Sequence, residues 1–279
     1  MKKLTLLLLA ALCAYGENVE KRTLDAFAAY MAEADRSVQA RATAPESREY
    51  AGSGAPVIRA WDKKNPREVP DGLIHDWVGT AFVPGAKVAD AVAVLKDVSR
   101  YPQIYSGDVL SAKLLKQEGD RLQTSFRVIR KKVLTVVLET DYDVEYRRVS
   151  DSRTQVWSRS RRIAEVEDHG TATEKVKPPD TGWGFLWRLN TYWHLEEREG
   201  GLLMECRAIS LTRGIPTGLG LIIKPMVTSL PMEALRGTLE KTRLAVTRIP
   251  KPTANGTPRP AVPPRAAPAA RGRTTARPL

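Results

Sequence analysis

The C-terminal stretch PTGLGLIIKPMVTSLPMEALRGTLEKTRLAVTRI, residues Pro216 to Ile249, decides the fold. Its apolar residues recur at the spacing of an amphipathic helix. They are Leu219, Ile222, Ile223, Met226, Val227, Leu230, Leu235 and Leu239. Because a proline lacks the N–H that a helix interior needs, Pro225 and Pro231 predict two helical halves with a kink at Ser229–Pro231. Neither half can bury its apolar face alone, so the rest of the chain must supply a surface that receives it.

The receiving surface is predicted to be an antiparallel sheet. From residue 107 to residue 208 apolar and polar residues alternate, which is the period of strands, and short turns such as Glu118–Asp120 separate the runs. Consecutive strands with short turns form an antiparallel meander, and the final helical segment is the element left to cover its apolar face. Upstream, Leu73–Val83 predicts one more strand and Val88–Val98 a helix. A curved sheet around a helix often leaves a cavity between the two.

The two ends of the chain differ from its body. Residues 1–16 combine two lysines, a short apolar core and small residues before Glu17, which predicts a cleaved signal peptide and a periplasmic or extracellular protein. Residues 248–279 are rich in Pro, Ala and Arg and lack carboxylate side chains, which predicts a disordered tail. Seven of the lysine and arginine residues that produce the net charge of +12 lie in this tail, so the net charge says little about the folded body of the protein. It is a candidate for contact with a membrane surface.

Between these ends we expect two segments. Residues 17–72 are predicted to hold an N-terminal helix, Thr23–Arg41, and a connecting segment, and residues 73–247 the main domain. The helix is predicted from an apolar stripe of Leu24, Phe27, Tyr30, Met31, Ala34 and Val38. Cys206 is the one cysteine left after signal cleavage, so no intramolecular disulfide forms. We expect its thiol to act as a small core hydrophobe.

This order of elements resembles the START-like, helix-grip superfamily, also called SRPBCC. The superfamily includes lipid-transfer domains, coenzyme Q-binding proteins and polyketide cyclases. LKDVSRYPQIYSGDVLSAKLL, residues 95–115, is similar to the second-helix Tyr-Pro region of cyclase and coenzyme Q-binding members, and the terminal helix is similar to their grip helix. The closest likeness is to exported bacterial members. The resemblance covers about residues 73–248 and implies an α+β fold in which a curved antiparallel sheet wraps around the C-terminal helix. Because such proteins share a cavity and not a chemistry, no catalytic residue is carried over.

The sequence offers little for catalysis. His75, His169 and His194 are its three histidines, and no HExxH or paired CxxC motif accompanies them, so we expect no metal and no cofactor. Four acids share one face of a long strand, and we interpret them as a surface ladder facing arginines of the next strand. They are Glu139, Asp141, Asp143 and Glu145, and the arginines are Arg159, Arg161 and Arg162. Basic and acidic residues are interleaved, so nucleic-acid binding is not expected.

The remaining feature is a predicted ligand cavity between sheet and helix. Its candidate lining is apolar and aromatic, which suits a lipid-, quinone- or polyketide-like molecule with one polar handle. The lining residues are Phe126, Leu138, Tyr142, Trp157, Trp193, Met204, Ile222, Met226 and Leu230. The same residues would also be suitable for filling a solid core.

Three functions therefore stay open. The first is binding or carriage of a hydrophobic small molecule. The second is a cyclase- or aromatase-type enzyme, in which Tyr142, Tyr146, His194 or Arg161 would steer and protonate a polyketide. The third is an envelope interaction protein that acts through the basic tail.

Overall fold

The computed structural model describes residues 18–41, 54–131, 135–215 and 220–249, and gives no side-chain account of 220–228. The predicted signal peptide, the Gly218–Leu219 pair and the tail from residue 250 lie outside the described residues. The described residues up to Ile249 form one compact unit. None of the helices in the described part is long and apolar enough to span a bilayer.

The helices lie at both ends of the described chain and between its early strands. They are α1 (Lys21–Arg41), α2 (Val88–Lys96), α3 (Tyr101–Ile104) and α4 (Gly220–Thr247), with a 3-10 turn at Val98–Arg100 before α3. The N-terminal helix confirms the apolar stripe predicted there, since Phe27, Met31 and Ala34 are buried.

One antiparallel sheet of ten strands forms the body of the described chain. The strands are β1 (Val57–Ala60), β2 (Arg67–Val69), β3 (Gly72–Pro84), β4 (Val109–Glu118), β5 (Arg121–Lys131), β6 (Thr135–Ser150), β7 (Arg153–Glu167), β8 (Lys175–Val176), β9 (Arg188–Arg198) and β10 (Gly201–Arg213). Their order is β1-β3-β10-β9-β7-β6-β5-β4, with β2 beside β3 and β8 beside β7. The long strands follow one another as predicted, and β3 pairs with β10, the last strand. This arrangement confirms the predicted α+β, helix-grip class.

The C-terminal segment is one helix and not two. α4 runs from Gly220 to Thr247 through both Pro225 and Pro231, whereas the sequence predicted two halves separated at Ser229–Pro231. A proline inside a helix removes one hydrogen bond and bends the axis locally, and neighbouring turns can continue on either side. The burial of Leu235, Leu239 and Val246 shows that tertiary packing holds the second half.

The two faces of the sheet carry separate cores. On the inner face, which faces α4, Ala81, Trp193 and Met204 pack with α2 and with Leu239 of α4. On the outer face, Ile74, Tyr192 and Ile209 pack against Phe27 and Met31 of α1. The N-terminal helix therefore covers the face of the sheet opposite to the C-terminal helix, and β3 and β10 are buried on both sides.

Candidate functional site

A line of partly exposed side chains crosses the middle of the inner face. Its members are paired neighbours on five adjacent strands, from β3 to β6. We call this line the inner row; its residues are Trp77, Ala208, Thr191, Ser158 and Val144. Strands lie about 4.8 Å apart, so the row is about 19 Å long.

The inner row has buried neighbours on one side and mixed neighbours on the other. On one side Cys206, Trp193 and Val156 are buried. On the other side Ser210 and Tyr142 are buried, whereas Leu189 and Ser160 between them are partly exposed. Central strands of a covered sheet normally bury their inner-face residues. We therefore interpret the inner row as a candidate groove, although a cavity of about 400 Å³ lies on the opposite side, against Arg147, Trp157 and Arg159.

Three buried polar atoms lie along or next to the inner row without a hydrogen-bond partner in the described part of the chain. They are Nε1 of Trp77, Nδ1 of His75 and Oγ1 of Thr124. His75 lies two residues before Trp77 on β3, so both side chains are on the same face of the sheet. Thr124 pairs with Tyr142. Because buried polar groups normally find a partner, each of these atoms is a candidate contact for a ligand.

His75 is held by one of its two ring nitrogens. Its Nε2 lies 3.0 Å from Oγ1 of Thr212, and the ring is fully buried. Burial lowers the pKa of His75 from 6.5 to about 4, so the ring is neutral near pH 7. Its alternation with Trp77 was the available sign that both lie on the inner face.

An aromatic cluster closes one end of this region. Tyr101 stacks on Phe126 with ring centroids 5.3 Å apart, and Phe126 contacts Tyr142 at 5.7 Å. Tyr105 meets Tyr101 edge-on, and its hydroxyl lies 2.9 Å from Oγ1 of Thr242 on α4. Burial raises the pKa of Tyr105 and of Tyr142 to about 12, so both hydroxyls stay protonated at neutral pH.

The predicted lining residues divide between the two faces. Phe126, Trp193 and Met204 belong to the inner core or pack against it, and Leu138 and Tyr142 are buried on neighbouring inner-face positions of β6. Trp157 instead lies on the outer face, where its ring meets Tyr192 edge-on at 5.0 Å. Alternation shows that Val156 and Trp157 take opposite faces but does not show which face is which.

The lining predicted from α4 is described only in part. Leu230 is partly buried on α4. Ile222 and Met226 belong to the segment whose side chains lie outside the described residues.

The four residues proposed for cyclase chemistry do not form one site. Tyr146 and Tyr142 lie on the inner face, whereas His194 alternates with Trp193 and lies on the outer face. Arg161 is half-exposed and lies 3.5 Å from Asp143.

Glu165 is a buried carboxylate, but its oxygens are occupied. They accept the backbone N–H groups of Trp183, Gly184 and Phe185 at 2.8 to 3.1 Å. Burial raises the pKa of Glu165, and these donors oppose that shift. We interpret the residue as an anchor for the loop that precedes β9.

The acidic row of β6 is a surface charge ladder, as predicted. Glu139 accepts from Arg127 at 2.8 Å and lies 3.4 Å from Arg162. Asp141 lies 3.8 Å from Arg162. Glu145 accepts from Arg147 at 2.6 Å. Arg159 differs from the prediction, because it pairs with Asp35 of α1.

The described residues contain no group of three or more His, Cys, Asp and Glu side chains that could hold a metal ion. Cys206 is buried in the inner core, and burial raises the pKa of its thiol. The thiol is therefore protonated at neutral pH, as expected of a core residue.

We predict that His75 makes folding sensitive to acid. The unfolded chain binds the proton with a pKa near 6.5 and the folded chain only near 4, so unfolding takes up a proton between these values. The contribution of His75 to the free energy of unfolding is then fully present above about pH 6.5 and falls by about 3 kcal/mol as the pH drops to 4. Urea unfolding across this range would measure the loss.

The variant His75→Gln should remove this part of the pH dependence. His169→Gln, in an exposed loop, is the matched control and should keep it. An equal dependence of the free energy of unfolding on pH in the wild type and in His75→Gln would contradict the prediction.

Comparisons with known proteins were made by family model, by sequence and by structure. No protein-family model matches the chain, and no curated protein matches its sequence. Among solved structures, a STAR-related lipid transfer protein from Xanthomonas axonopodis is 19% identical, with 64% of this chain and 96% of that chain covered at a TM-score of 0.43.

Two further solved structures extend this comparison. Human STARD10 is 9% identical, with 76% of this chain and 77% of that chain covered at a TM-score of 0.47. The Zhui aromatase/cyclase from a Streptomyces species is 12% identical, with 62% and 89% covered at a TM-score of 0.37. Identities this low concern the fold and not the function. The element order and the sheet topology of the chain are those of the START-like helix-grip fold.

Proposed function

We propose that the protein binds and carries a hydrophobic small molecule in the groove over the inner row. The observation that supports this most is the line of partly exposed residues that crosses the inner face beside the buried residues Cys206, Trp193 and Val156. A core that packs solidly would bury this line together with its neighbours. The groove is bordered by aromatic and aliphatic side chains, which favours an apolar ligand.

The unpartnered polar atoms indicate which polar groups the ligand would have. Trp77 offers an indole N–H donor, and Thr124 a hydroxyl that can donate or accept. These two groups lie on β3 and β5, at opposite ends of the inner row, so a carbonyl or hydroxyl oxygen on an otherwise apolar ligand would suit one or the other. Lipid-, quinone- and polyketide-like molecules share this chemistry.

The proposed place of action is outside the cytoplasm. This part of the proposal depends on residues 1–16, whose basic start and short apolar core are typical of a secretory signal. A carrier of apolar molecules is useful there because such molecules do not diffuse freely through water.

Native mass spectrometry of the full chain, followed by organic extraction, tests the proposal. We expect one bound hydrophobic molecule per chain. After extraction, the protein should take up a dansyl-labelled undecanoic acid with a blue shift of the dansyl emission. Empty protein from repeated preparations, together with no uptake of this probe, would reject the function.

Two matched variants test the location. Ser158→Phe fills the groove on the inner face, and Ser125→Phe adds the same ring on the outer side of β5, where Ser125 is also partly exposed. We expect at least about a tenfold loss of probe binding in Ser158→Phe only, since a phenyl ring takes the space of the ligand. Equal binding in both variants would place the ligand elsewhere.

A further inference from the structure

Exposed leucines are concentrated on one edge strand. Leu110, Leu114 and Leu115 are 41%, 45% and 53% exposed, and all three belong to β4. Only Phe185 and Leu244 are comparably exposed large apolar residues elsewhere in the described chain. Single exposed apolar residues are normal on protein surfaces, but a group of three on ten residues needs an explanation.

The strand is irregular where two of these leucines lie. The pairing of β4 with β5 shifts between Val109 and Ser111 and again between Leu114 and Lys116. Leu110 and Leu115 are the residues left out of the register at these two shifts. Bulges of this kind redirect side chains at the edge of a sheet. At about 3.3 Å per residue the two leucines lie about 16 Å apart along the strand.

Positive charge flanks the leucines. Lys113 and Lys116 directly precede and follow the Leu114–Leu115 pair, and both lysines are exposed. Lys116 contacts Glu118, but both of these side chains are more than half exposed, so solvent screens the pair. Leu114 and the lysines lie on opposite faces of β4, as their partners Thr124 and Ser125 show, so it is the exposed edge of the strand that combines apolar side chains with ammonium groups.

The geometry argues against another strand as the partner of this edge. β4 is the last strand of the sheet order, and no strand of the described residues lies on its far side. Pairing with a second copy would require a continuous run of backbone N–H and C=O groups. The two bulges divide the strand into short regular runs, residues 111–114 and 116–118, and bulges and lysines are devices that prevent such pairing.

We propose that the β4 edge, defined by Leu110, Lys113, Leu114, Leu115 and Lys116, docks on an anionic lipid bilayer. A bilayer surface imposes no hydrogen-bond register, so the bulges do not oppose it. The leucines would enter the interfacial region while the lysines contact the lipid phosphates and carboxylates. This surface is separate from the basic tail, and its docking does not require that the inner groove hold a ligand.

Vesicle co-sedimentation of the full chain tests the proposal. The probes are vesicles of phosphatidylcholine alone and of phosphatidylcholine mixed with phosphatidylglycerol. We expect binding to the mixed vesicles and, for Leu114→Ser/Leu115→Ser, at least about a tenfold weaker partition, because two apolar insertions are lost. Leu244→Ser removes an exposed leucine from α4 and should bind like the wild type. Unchanged urea midpoints would confirm that both variants are folded.

The salt dependence separates the edge from the tail. Binding through the tail is electrostatic and should vanish at high salt, whereas the leucine contribution should persist. Equal partition of the wild type and the double leucine variant at every salt concentration would overturn the proposal and leave the tail as the contact. A wild-type dimer that Leu114→Ser/Leu115→Ser dissociates, with no vesicle binding, would overturn it in favour of a second copy.

Discussion

Replacing Asp76 by alanine is expected to lower the free energy of unfolding by about 3 to 5 kcal/mol, because it leaves Arg207 as a buried, uncompensated charge. The two side chains are each only 5% exposed, and the guanidinium donates to both carboxylate oxygens at 2.6 to 3.2 Å. Tyr30 of α1 also donates to Asp76, at 2.7 Å. The substitution therefore breaks a network that joins the sheet to the N-terminal helix. Urea unfolding at neutral pH measures the loss.

Two controls show that the buried charge causes the effect. Asp62→Ala removes an acid that pairs with Arg67 on the surface, and should cost less than about 1 kcal/mol. Adding Arg207→Met to Asp76→Ala should recover much of the lost stability, since no buried charge is then left. A loss below about 1 kcal/mol for Asp76→Ala alone would show that water reaches Arg207.

This network explains a part of the fold that the sequence did not reveal. Asp76 and Arg207 lie in strands β3 and β10, which are 131 residues apart along the chain. Local patterns show that each strand is apolar but do not show which strand will lie beside which. The order of hairpins from β4 to β7 was predictable because their turns are short, whereas the pairing of β3 with β10 joins distant segments.

The role of the N-terminal helix follows the same logic. Its apolar stripe was visible in the sequence and predicted the helix correctly, but a stripe says only that some surface receives it. Almost every residue of β3 and β10 is buried, which shows that these strands are covered on both faces, although polar residues interrupt their apolar sequences. The outer-face cluster around Phe27 and Ile209 is the result.

The face of the sheet on which each predicted lining residue lies was only partly predictable. Alternation correctly grouped Leu138 with Tyr142 along β6, and the resemblance to helix-grip proteins placed the ligand between sheet and helix. Trp157 fell on the other face because period alone does not identify the inner side. The inner row was not predictable, since partial exposure depends on how α4 covers the sheet and not on residue type.

The packing of α4 on the sheet gives a second prediction with a large expected effect on stability. Leu239 is fully buried in the inner core. Truncation to alanine removes its packing and leaves a cavity, so Leu239→Ala should lower the free energy of unfolding by about 2 to 5 kcal/mol. Leu244→Ala, on the exposed side of the same helix, should change it by less than about 0.5 kcal/mol. Chemical denaturation of both variants makes the comparison.

A double variant tests whether Leu239 packs against β3 at Gly79, which has no side chain. A Cβ atom at Gly79 would lie 2.4 Å from Cδ1 of Leu239 and 2.4 Å from Cδ1 of Ile58, so the glycine makes room for both. Gly79→Ala alone should therefore cost about 1 to 3 kcal/mol through overpacking. In Leu239→Ala the new methyl group meets less resistance, so the double variant should be more stable than the sum of the single losses predicts, by about 0.5 to 3 kcal/mol. Additive losses would mean that α4 does not pack on β3 at Gly79. Another element would then have to cover the groove over the inner row.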